Sequence, residues 1–346
     1  MSPGGTVALL GLGVSTFPPI AHPGCAGHAH DAVLYGSDDE LLEMVVPFLT
    51  DGAKSGEPTL VAMDAIKTAM IQDVIGQPAG ITFFSPGDYQ RPATSINTWF
   101  KRFQKLVNQG ATQIRAIGEI PTIDVNAGWR GWASYESAIN HAFEKFPLWG
   151  LCAYDTRLAG ADVLQDVART HPRLLTRSGD NGHNPHYEDP VSFLATQRTA
   201  GCHLVRDTTP EIVLLDPTSE VARRAAGTAA RSAGLSHTER QDLELALTEL
   251  TTNAYLHGQP PVTVEMWWTP GSVIAAVSDS GAGPSDPLVG LVPVSPAAHG
   301  GRGLWITNQI CDAVSLTATP DGFTARFAIG VPLTSWRRRA TAPGPR

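Results

Sequence analysis

The chain has 346 residues, of which 42% are hydrophobic and 17% are charged. This length is generous for one domain and comfortable for two, and the composition is that of a soluble globular protein with a sizeable core. The formal net charge of −8 argues against a general nucleic-acid binder, because such domains are usually basic. A moderately acidic balance names no partner, since it mainly affects solubility.

The amino-terminal segment predicts neither export nor membrane attachment. Residues 1–28 carry no Lys or Arg, and their apolar run is short and interrupted by glycine. No run in the chain reaches the roughly 20 apolar residues that a membrane-spanning helix needs. We therefore expect a cytoplasmic protein without a membrane partner, in which residues 1–28 form a flexible leader.

The four cysteines lie at positions 25, 152, 202 and 311 without a CxxC pair, which is typical of reduced thiols rather than of a disulfide framework. A loose His/Cys cluster near the start, formed by His22, Cys25, His28 and His30, matches no standard zinc-binding spacing. Such tracts are usually polar loops, so the sequence favours no metal site there.

Between residues 30 and 175, short apolar runs alternate with longer helical ones. The predicted strands are 32–35, 59–63, 81–84, 113–119 and 148–154, and the predicted helices are 38–54, 64–76, 92–110, 131–146 and 160–170. Continuously apolar strands that alternate with helices indicate a parallel sheet covered on both faces. The first domain is therefore predicted to be a three-layer α/β domain.

Three of these strands end in an acidic residue: Asp64, Glu119 and Asp155. Ligands of parallel α/β domains collect at the carboxyl ends of the strands, so these side chains are candidates for the rim of a small-molecule pocket. A structural role is the alternative, since Asp64 also precedes a predicted helix and could be its N-cap. No GxxxxGK[ST] loop follows the first strand, so a phosphate-binding P-loop is missing.

Several short motifs follow one another along this domain: "HDAVLYGSDDELLEMVVPFLTDGAKSGEPTLVAMD", "FFSPGDY", "GEIPT", "YESAINHAF", "YDTR" and "HPRLL". In this order they resemble the MEDS sensory domain, over residues 29–195. The resemblance implies a RecA/KaiC-like α/β module that lacks a P-loop and senses a small-molecule signal.

A second unit follows this domain. A polar, Gly/Pro-containing stretch closes the first domain, residues 196–207 form the predicted linker, and the second domain covers 208–332. It begins with a strand at 211–215 and an Ala-rich helix that ends at Gly234. Residues 333–346 lack an apolar pattern and are predicted to be a disordered tail.

The next helix carries two distinct stripes and stops at Gly258. Its core-facing stripe contains Leu243, Leu247, Leu250 and Ala254. Glu249 and Asn253 lie one turn apart on a second stripe, at the edge of the core. By itself, such a pair would be an ordinary polar flank of a surface helix.

Two glycine-rich motifs downstream change this interpretation. In "DSGAGP", Asp279 ends the second strand of a predicted hairpin and is followed by Gly281 and Gly283, where the backbone can approach a ligand closely. In "HGGRGLWITNQI", glycines open a predicted helix, whose free N–H groups favour a phosphate. Each motif alone is a weak signal, but together with the Glu249/Asn253 helix they indicate a Mg-ATP site.

This constellation resembles the GHKL ATPase family of histidine kinases, gyrase-type and Hsp90-type ATPases and anti-sigma serine kinases. The resemblance implies the two-layer α/β sandwich of the Bergerat fold, with ATP and Mg²⁺ as cofactors. Glu249 would be the general base, Asn253 would bind Mg²⁺, and Asp279 would accept a hydrogen bond from the adenine amino group. The other implied ATP-binding residues are Gly281 and Gly283 at the lid hinge, Gly301, Arg302, Gly303 and Leu304 at the phosphates, and Thr324 near the adenine.

The segment before the ATPase unit separates the members of this family. Two-component histidine kinases carry a helical hairpin with a phosphoacceptor histidine there, but helix 217–233 stands alone and His237 lies in a helix connection. A MEDS-like domain joined to this unit resembles the RsbA-type anti-sigma regulators of actinobacteria. The resemblance implies a protein that sequesters a sigma factor and phosphorylates a serine of a STAS-type antagonist. It also implies a homodimer through the ATPase domain, although no residue of the sequence indicates one.

The lid between the two glycine motifs departs from a simple kinase pattern. It has no Lys or Arg between Gly283 and Arg302, and it is apolar, with Leu288, Val289, Leu291, Val292 and Val294. Such a lid suits a partner surface or packing on the protein itself. Two alternatives therefore stay open: a non-catalytic regulator that sequesters its partner in a nucleotide-dependent way, and an atypical sensor histidine kinase.

Overall fold

The computed structural model describes residues 27–76, 78–84, 91–120, 129–177, 184–199, 208–293 and 302–330. The predicted tail, nearly all of the leader, most of the linker and Gly301 lie outside these residues. The described chain forms two separate sheets, each with its own helices and hydrophobic core.

The first domain alternates strands and helices. Its strands are β1 (Ala29–Tyr35), β2 (Thr59–Ala62), β3 (Ile81–Phe83), β4 (Ile114–Glu119), β5 (Leu148–Asp155) and β6 (Arg173–Leu175). Its helices are α1 (Asp38–Lys54), α2 (Ala65–Ile75), α3 (Pro92–Asn108), α4 (Trp129–Ala142), α5 (Ala161–Thr170) and α6 (Pro190–Thr199).

The six strands form one parallel sheet in the order β3-β2-β4-β5-β1-β6, with β4 and β5 at its centre. Side chains alternate between its two faces. On β1, for example, Ala32 packs in the core cluster beneath α3, α4 and α6, whereas Val33 packs in the cluster beneath α1. The predicted three-layer arrangement is confirmed.

Two elements of this domain were not predicted. β6 is only three residues long, so it carries too little pattern to be recognised. Helix α6 contributes Phe193 and Leu194 to the core and extends to Thr199, into the segment predicted as linker. A ten-residue helix with two core residues has a weak apolar period, which explains why the sequence did not indicate it.

The second domain is a sheet covered on one face by helices. Its strands are β7 (Ile212–Leu215), β8 (Thr263–Thr269), β9 (Ser272–Asp279), β10 (Ala313–Thr319) and β11 (Gly322–Ile329), and its helices are α7 (Ser219–Ala233), α8 (His237–His257) and α9 (Arg302–Ile310). The antiparallel order is β10-β11-β9-β8-β7, and the predicted β8–β9 hairpin is confirmed.

The layers of the second domain follow from its side-chain pattern. Alanines of α7 and leucines of α8 pack on Val273, Ala275 and Val277 of β9. The predicted two-layer α/β sandwich is therefore confirmed. Among the described residues, no helix combines the length and the hydrophobicity that crossing a membrane requires.

Candidate functional site

Helix α8 carries the first part of the site. It begins with a capping box, in which Ser236 and Glu239 bond each other's backbone N–H groups. Its predicted core stripe, from Leu243 to Ala254, is buried against the sheet. Because this stripe fixes the rotation of α8, Glu249 and Asn253 lie together at the edge of the core, half-buried.

Asp279 ends β9 and is held rigidly by the backbone around it. Its Oδ1 accepts hydrogen bonds from Gly281 N at 2.7 Å and Gln259 N at 3.2 Å. The side chain is buried, with 8% of its surface exposed. A carboxylate fixed in this way presents an acceptor of defined orientation to a ligand donor.

The helix stop at Gly258 has a different basis from the one that the sequence suggested. Helix α8 ends at His257 as predicted, but Gly258 is extended, with φ −92°, rather than left-handed. A Cβ at Gly258 would lie 2.4 Å from Cγ of Asp279, so a side chain there would displace that carboxylate. Glycine is required here by the close approach of Asp279 and not by the backbone conformation.

The second glycine motif meets the Glu249/Asn253 pair directly. A Cβ at Gly303 would lie 2.6 Å from Glu249 Oε2 and 3.0 Å from Asn253 Nδ2. The start of α9 therefore approaches both side chains so closely that a Cβ at position 303 would displace them. This contact joins two motifs that are 50 residues apart in the sequence at one point in space.

A cavity of about 290 Å³ lies between α8, the sheet and the lid. Its walls are mainly apolar, with Asn253 and Asp279 among the few polar groups; the other described residues that line it include Leu250, Val277, Val289, Leu304 and Phe323. Its volume is just below the roughly 300–1,000 Å³ of small-molecule pockets. An apolar slot with a fixed carboxylate suits a flat heterocycle that carries an amino group.

Gly283, at the start of the lid, is also constrained. Gly283 has φ +74°, and a Cβ there would lie 2.2 Å from Cδ2 of Phe323 in the cavity wall. Both its left-handed backbone and the ring of Phe323 exclude a side chain.

Not every predicted residue reaches the cavity. Thr324 pairs its hydroxyl with Ser278, and both lie on the sheet face opposite to Phe323 and Ala325, which line the cavity. Arg302 is the first residue of α9 and is exposed, and Leu304 lines the cavity wall.

The sequence missed Phe323 and Gly258 as cavity residues. Phe323 resembles any other apolar strand residue in sequence, so only the fold assigns it to the site. The sequence contains a weak indication for Gly258, because this glycine directly follows the helix that carries Glu249 and Asn253.

The lid packs on the first domain. Leu288 is 5% exposed and belongs, with Leu291 and Val292, to the same hydrophobic cluster as Phe193 and Leu194 of α6. Arg198 of α6 donates hydrogen bonds to the carbonyl oxygens of Pro284 at 2.9 Å and Asp286 at 3.1 Å. The lid and α6 thus share one hydrophobic cluster and are joined by the two hydrogen bonds from Arg198.

Further polar contacts join the two domains next to α9. Arg91, at the start of α3, forms an ion pair with Asp312 at 3.5 Å and bonds the carbonyl of Cys311. Asn97 of α3 bonds Gln309 at the end of α9. The element that carries Gly303 therefore also contacts the first domain.

The acidic residues predicted for a ligand rim are bound to basic side chains. Asp64 is the N-cap of α2, as the structural alternative required. Lys67 Nζ lies between two acids, 2.9 Å from Asp64 Oδ2 and 2.7 Å from Glu119 Oε1. Tyr35 also donates to Glu119. Burial opposes the ionisation of Asp64, but the bonds and charge of Lys67 outweigh it and lower its pKa. Burial raises the pKa of Glu119.

Asp155 belongs to a neighbouring group. Arg157 bonds both of its carboxylate oxygens and also reaches Asp38 at 2.7 Å. These hydrogen bonds from Arg157 lower the pKa of Asp155. The structure therefore brings Asp64 and Glu119 together through Lys67, while Asp155 pairs with Arg157.

Comparisons with known proteins agree with the two-domain arrangement. Residues 29–172 match the model of the MEDS family, the methanogen/methylotroph DcmR sensory domain. Residues 214–329 match the model of the histidine kinase-like ATPase domain. A comparison with curated proteins found no match.

Two solved structures show a partial likeness. The RsbU and RsbW domains of Rv1364c from Mycobacterium tuberculosis are 19% identical, with 36% of this chain and 32% of that chain covered and a TM-score of 0.26. This chain thus spans about a third of that structure's length. The histidine kinase domain of the E. coli osmosensor EnvZ is 16% identical, with 41% of this chain and 99% of that chain covered and a TM-score of 0.23.

The two family matches coincide with the parallel and the antiparallel sheet. The ATPase match contains the cavity lined by Asn253 and Asp279, and also the Gly303 backbone that approaches Glu249. The ATPase family implies ATP binding by this domain. The chain therefore joins a MEDS domain at residues 29–172 to a histidine kinase-like ATPase domain at residues 214–329.

Proposed function

We propose that this protein is an ATP-binding anti-sigma factor and serine kinase that acts in the cytoplasm. It would sequester a sigma factor and phosphorylate a serine of a STAS-type antagonist. Residues 208–332 would form the kinase domain and residues 29–195 its sensory domain. The observation that supports this proposal best is the contact of Gly303 with Glu249 and Asn253 beside the cavity that Asp279 lines.

The residues around the cavity fit Mg-ATP. Asp279 is fixed as an acceptor for the adenine amino group, and the apolar walls would hold the ring. The amide oxygen of Asn253 is a hard ligand suited to Mg²⁺. The backbone at the start of α9 would face the phosphates, because free N–H groups at a helix start attract anions. Arg302 and the amides of Gly301 to Leu304 would belong to this phosphate site.

Glu249 is suited to the role of general base in phosphoryl transfer. The serine hydroxyl oxygen of the antagonist would attack the γ-phosphorus, the bond between that phosphorus and the β–γ bridging oxygen would break, and ADP would leave. Glu249 would accept the hydroxyl proton. We do not carry Thr324 into this proposal, since its hydroxyl bonds Ser278 on the other sheet face.

The sensory role rests on the contact between the lid and α6. A small molecule bound to the first domain, with Asp64, Glu119 and Asp155 near its rim, would change nucleotide access if it shifted α6. Such coupling requires that the signal binds more tightly to one position of the lid than to the other.

Transfer of label from [γ-³²P]ATP tests the proposal directly. The full-length protein, Mg²⁺ and a STAS-type antagonist from the same organism are compared with a Glu249→Gln variant. Glu220→Gln is the matched control, because Glu220 lies on α7 and is 77% exposed. We expect acid-stable label on the antagonist with the unchanged protein and the control, but not with Glu249→Gln.

The alternatives predict other results. Label that is lost in acid would indicate phosphohistidine and the sensor histidine kinase. Nucleotide binding without any transfer would indicate the non-catalytic regulator and would remove Glu249 from its role as base. Equal transfer by Glu249→Gln would refute the general-base assignment alone.

A further inference from the structure

The interior of the first domain contains a cluster of metal-ligating side chains that the ATP site does not use. It consists of His30, Glu136, Cys152 and His171, whose donor atoms all lie within 4.8 Å of one another. We call these four residues the His/Glu/Cys cluster. The side chains of His30, Glu136 and His171 are 2%, 0% and 0% exposed.

The fold brings these residues from four elements. Ala32 of β1 is paired with Cys152 of the neighbouring strand β5, and His30 lies two residues before Ala32. Because side chains alternate along a strand, His30 and Cys152 point to the same face of the sheet. Glu136 reaches this face from α4, and His171 directly follows α5. Residues that are up to 141 positions apart therefore converge beneath α4.

The two imidazole rings are oriented by hydrogen bonds on their outer side. His171 Nδ1 lies 2.9 Å from the carbonyl oxygen of Val167, which can only accept, so Nδ1 is the donor. The Asn140 amide nitrogen donates to backbone carbonyls, including that of Thr170, so its Oδ1 faces His30 Nδ1 at 3.1 Å and accepts there. In a neutral ring, each Nε2 then carries a lone pair.

Both lone pairs point at other acceptors. His30 Nε2 lies 3.1 Å from Glu136 Oε2 and 3.2 Å from Cys152 Sγ, and His171 Nε2 lies 3.4 Å from the same Glu136 oxygen. Within the described structure, His171 Nε2 and Glu136 Oε1 are buried without a hydrogen-bond partner. A single thiol proton cannot satisfy all of these atoms, so the cluster must hold either a further proton or a metal cation at its centre.

The spacing fits a tetrahedral ion. Ligands about 2.0–2.3 Å from a central Zn²⁺ are about 3.3–3.8 Å from one another in a tetrahedron. Four of the six separations between the donor atoms, 3.1, 3.2, 3.3 and 3.4 Å, lie in this range or just below it, and the other two are no longer than 4.8 Å. Metal-bound histidines usually donate their second N–H to a carbonyl or a similar acceptor, as both rings do here.

We propose that the His/Glu/Cys cluster is a binding site for one divalent transition-metal ion of the zinc class. Imidazole and thiolate ligands suit Zn²⁺ and Co²⁺ rather than Mg²⁺ or Ca²⁺. Four protein ligands leave no position for a substrate, so the ion would hold β1, β5, α4 and the end of α5 together. On binding, the Cys152 thiol would lose its proton to solvent and bind as thiolate.

This site differs from the loose histidine cluster near the amino terminus of the sequence. His30 belongs to both groups, but its partners in the fold are Glu136, Cys152 and His171 instead of residues in the leader. His28 stacks on the ring of His30 at 5.6 Å between centroids and contributes no ligand to the cluster. No spacing rule in the sequence would have joined these four residues, since each lies on a different element.

Titration of the metal-free full-length protein with Co²⁺ tests this site, because a cobalt–thiolate bond gives a charge-transfer band that reports Cys152 itself. We expect one equivalent of Co²⁺ to bind with this band, and Zn²⁺ to displace it. Cys152→Ser should lose the band and weaken Zn²⁺ binding at least tenfold. Cys311→Ser is the matched control, since Cys311 is also buried but lies in the second domain, and it should leave the band unchanged.

A second variant and a fold readout keep the test decisive. His171→Gln should weaken Zn²⁺ binding at least tenfold while the far-ultraviolet circular dichroism and ATP binding stay unchanged. If Cys152→Ser does not fold, the cobalt band of the unchanged protein and its loss in His171→Gln decide the question. Failure of the unchanged protein to bind Co²⁺ or Zn²⁺, or equal binding by His171→Gln, would overturn the proposal. The cluster would then be a protonated Glu–His network.

Discussion

Gly283, the predicted hinge of the lid, provides the sharpest test of the site geometry. Gly283 has φ +74°, and a Cβ at this position would lie 2.2 Å from Cδ2 of Phe323. Gly271, in the β8–β9 turn, has nearly the same backbone conformation, with φ +78°, but no heavy atom lies within 4 Å of its Cβ position. Ala at the two positions therefore separates the cost of the backbone from the cost of the collision.

The expected magnitudes follow from these two terms. A left-handed backbone costs a non-glycine residue about 1–2 kcal/mol, so Gly271→Ala should lower the free energy of unfolding by that amount. Gly283→Ala has the same backbone cost, and the collision with a packed ring adds about 1–3 kcal/mol. Gly283→Ala should therefore lower the free energy of unfolding by roughly 2–5 kcal/mol. The displaced Phe323 ring should also weaken ATP binding at least about tenfold, or about 1.4 kcal/mol.

Urea unfolding followed by circular dichroism, and calorimetric titration with Mg-ATP, measure both effects. Gly271→Ala should bind ATP with unchanged affinity. The reasoning would be refuted if the two variants lost equal stability and both kept the affinity of the unchanged protein. A loss of ATP affinity in Gly271→Ala would show that general destabilisation, rather than the cavity wall, controls binding.

Three further changes probe other contacts. Gly303→Ala should reduce phosphoryl transfer at least about tenfold by moving the Glu249 carboxylate, at unchanged helix content; equal transfer rates would contradict this. Arg198→Met removes two hydrogen bonds to lid carbonyls, so amide hydrogen exchange in the lid should accelerate at least about tenfold. Burial disfavours the Asp64 carboxylate, but Lys67 outweighs it and lowers the pKa of Asp64 in the folded protein. The ionised carboxylate therefore stabilises the fold above the unfolded carboxyl pKa of about 4, and this contribution is lost as the pH falls through the lower folded pKa. Between pH 7 and pH 2, the free energy of unfolding in urea should therefore fall less for Asp64→Asn than for the unchanged protein. An equal fall in both proteins would contradict this role of Asp64.

Periodicity in the sequence predicted most of the fold and one side of the site. The stripe from Leu243 to Ala254 fixed the rotation of α8, and with it the position of Glu249 and Asn253, because a helix has a single core-facing side. The parallel first sheet followed from continuously apolar strands. The short strand β6 and the helix α6 escaped prediction because too few of their residues enter the core.

Contacts between distant segments could not be predicted in this way. The requirement for glycine at Gly258 arises from Asp279, which is 21 residues further along the chain, and not from the local helix end. Thr324 and Phe323 are neighbours in sequence, yet alternation along β11 directs only Phe323 into the cavity. The His/Glu/Cys cluster depends on the register of β1 against β5, which no local pattern contains.

The contact between the lid and the first domain gives a physical reason for the lid's composition. A lid with several apolar residues and no basic one would gain little from phosphates or from solvent, but Leu288 is buried in the hydrophobic cluster that also contains Phe193 and Leu194 of α6. Burial of one leucine side chain stabilises a contact by about 1.5–3 kcal/mol, so opening the lid must overcome that contact as well as the bonds from Arg198. The same α6 also packs on α4, which carries Glu136. Under the proposed function, an event that shifts α4 or α6 would act on the lid through packed side chains, and the apolar lid would be the element through which the first domain alters nucleotide access.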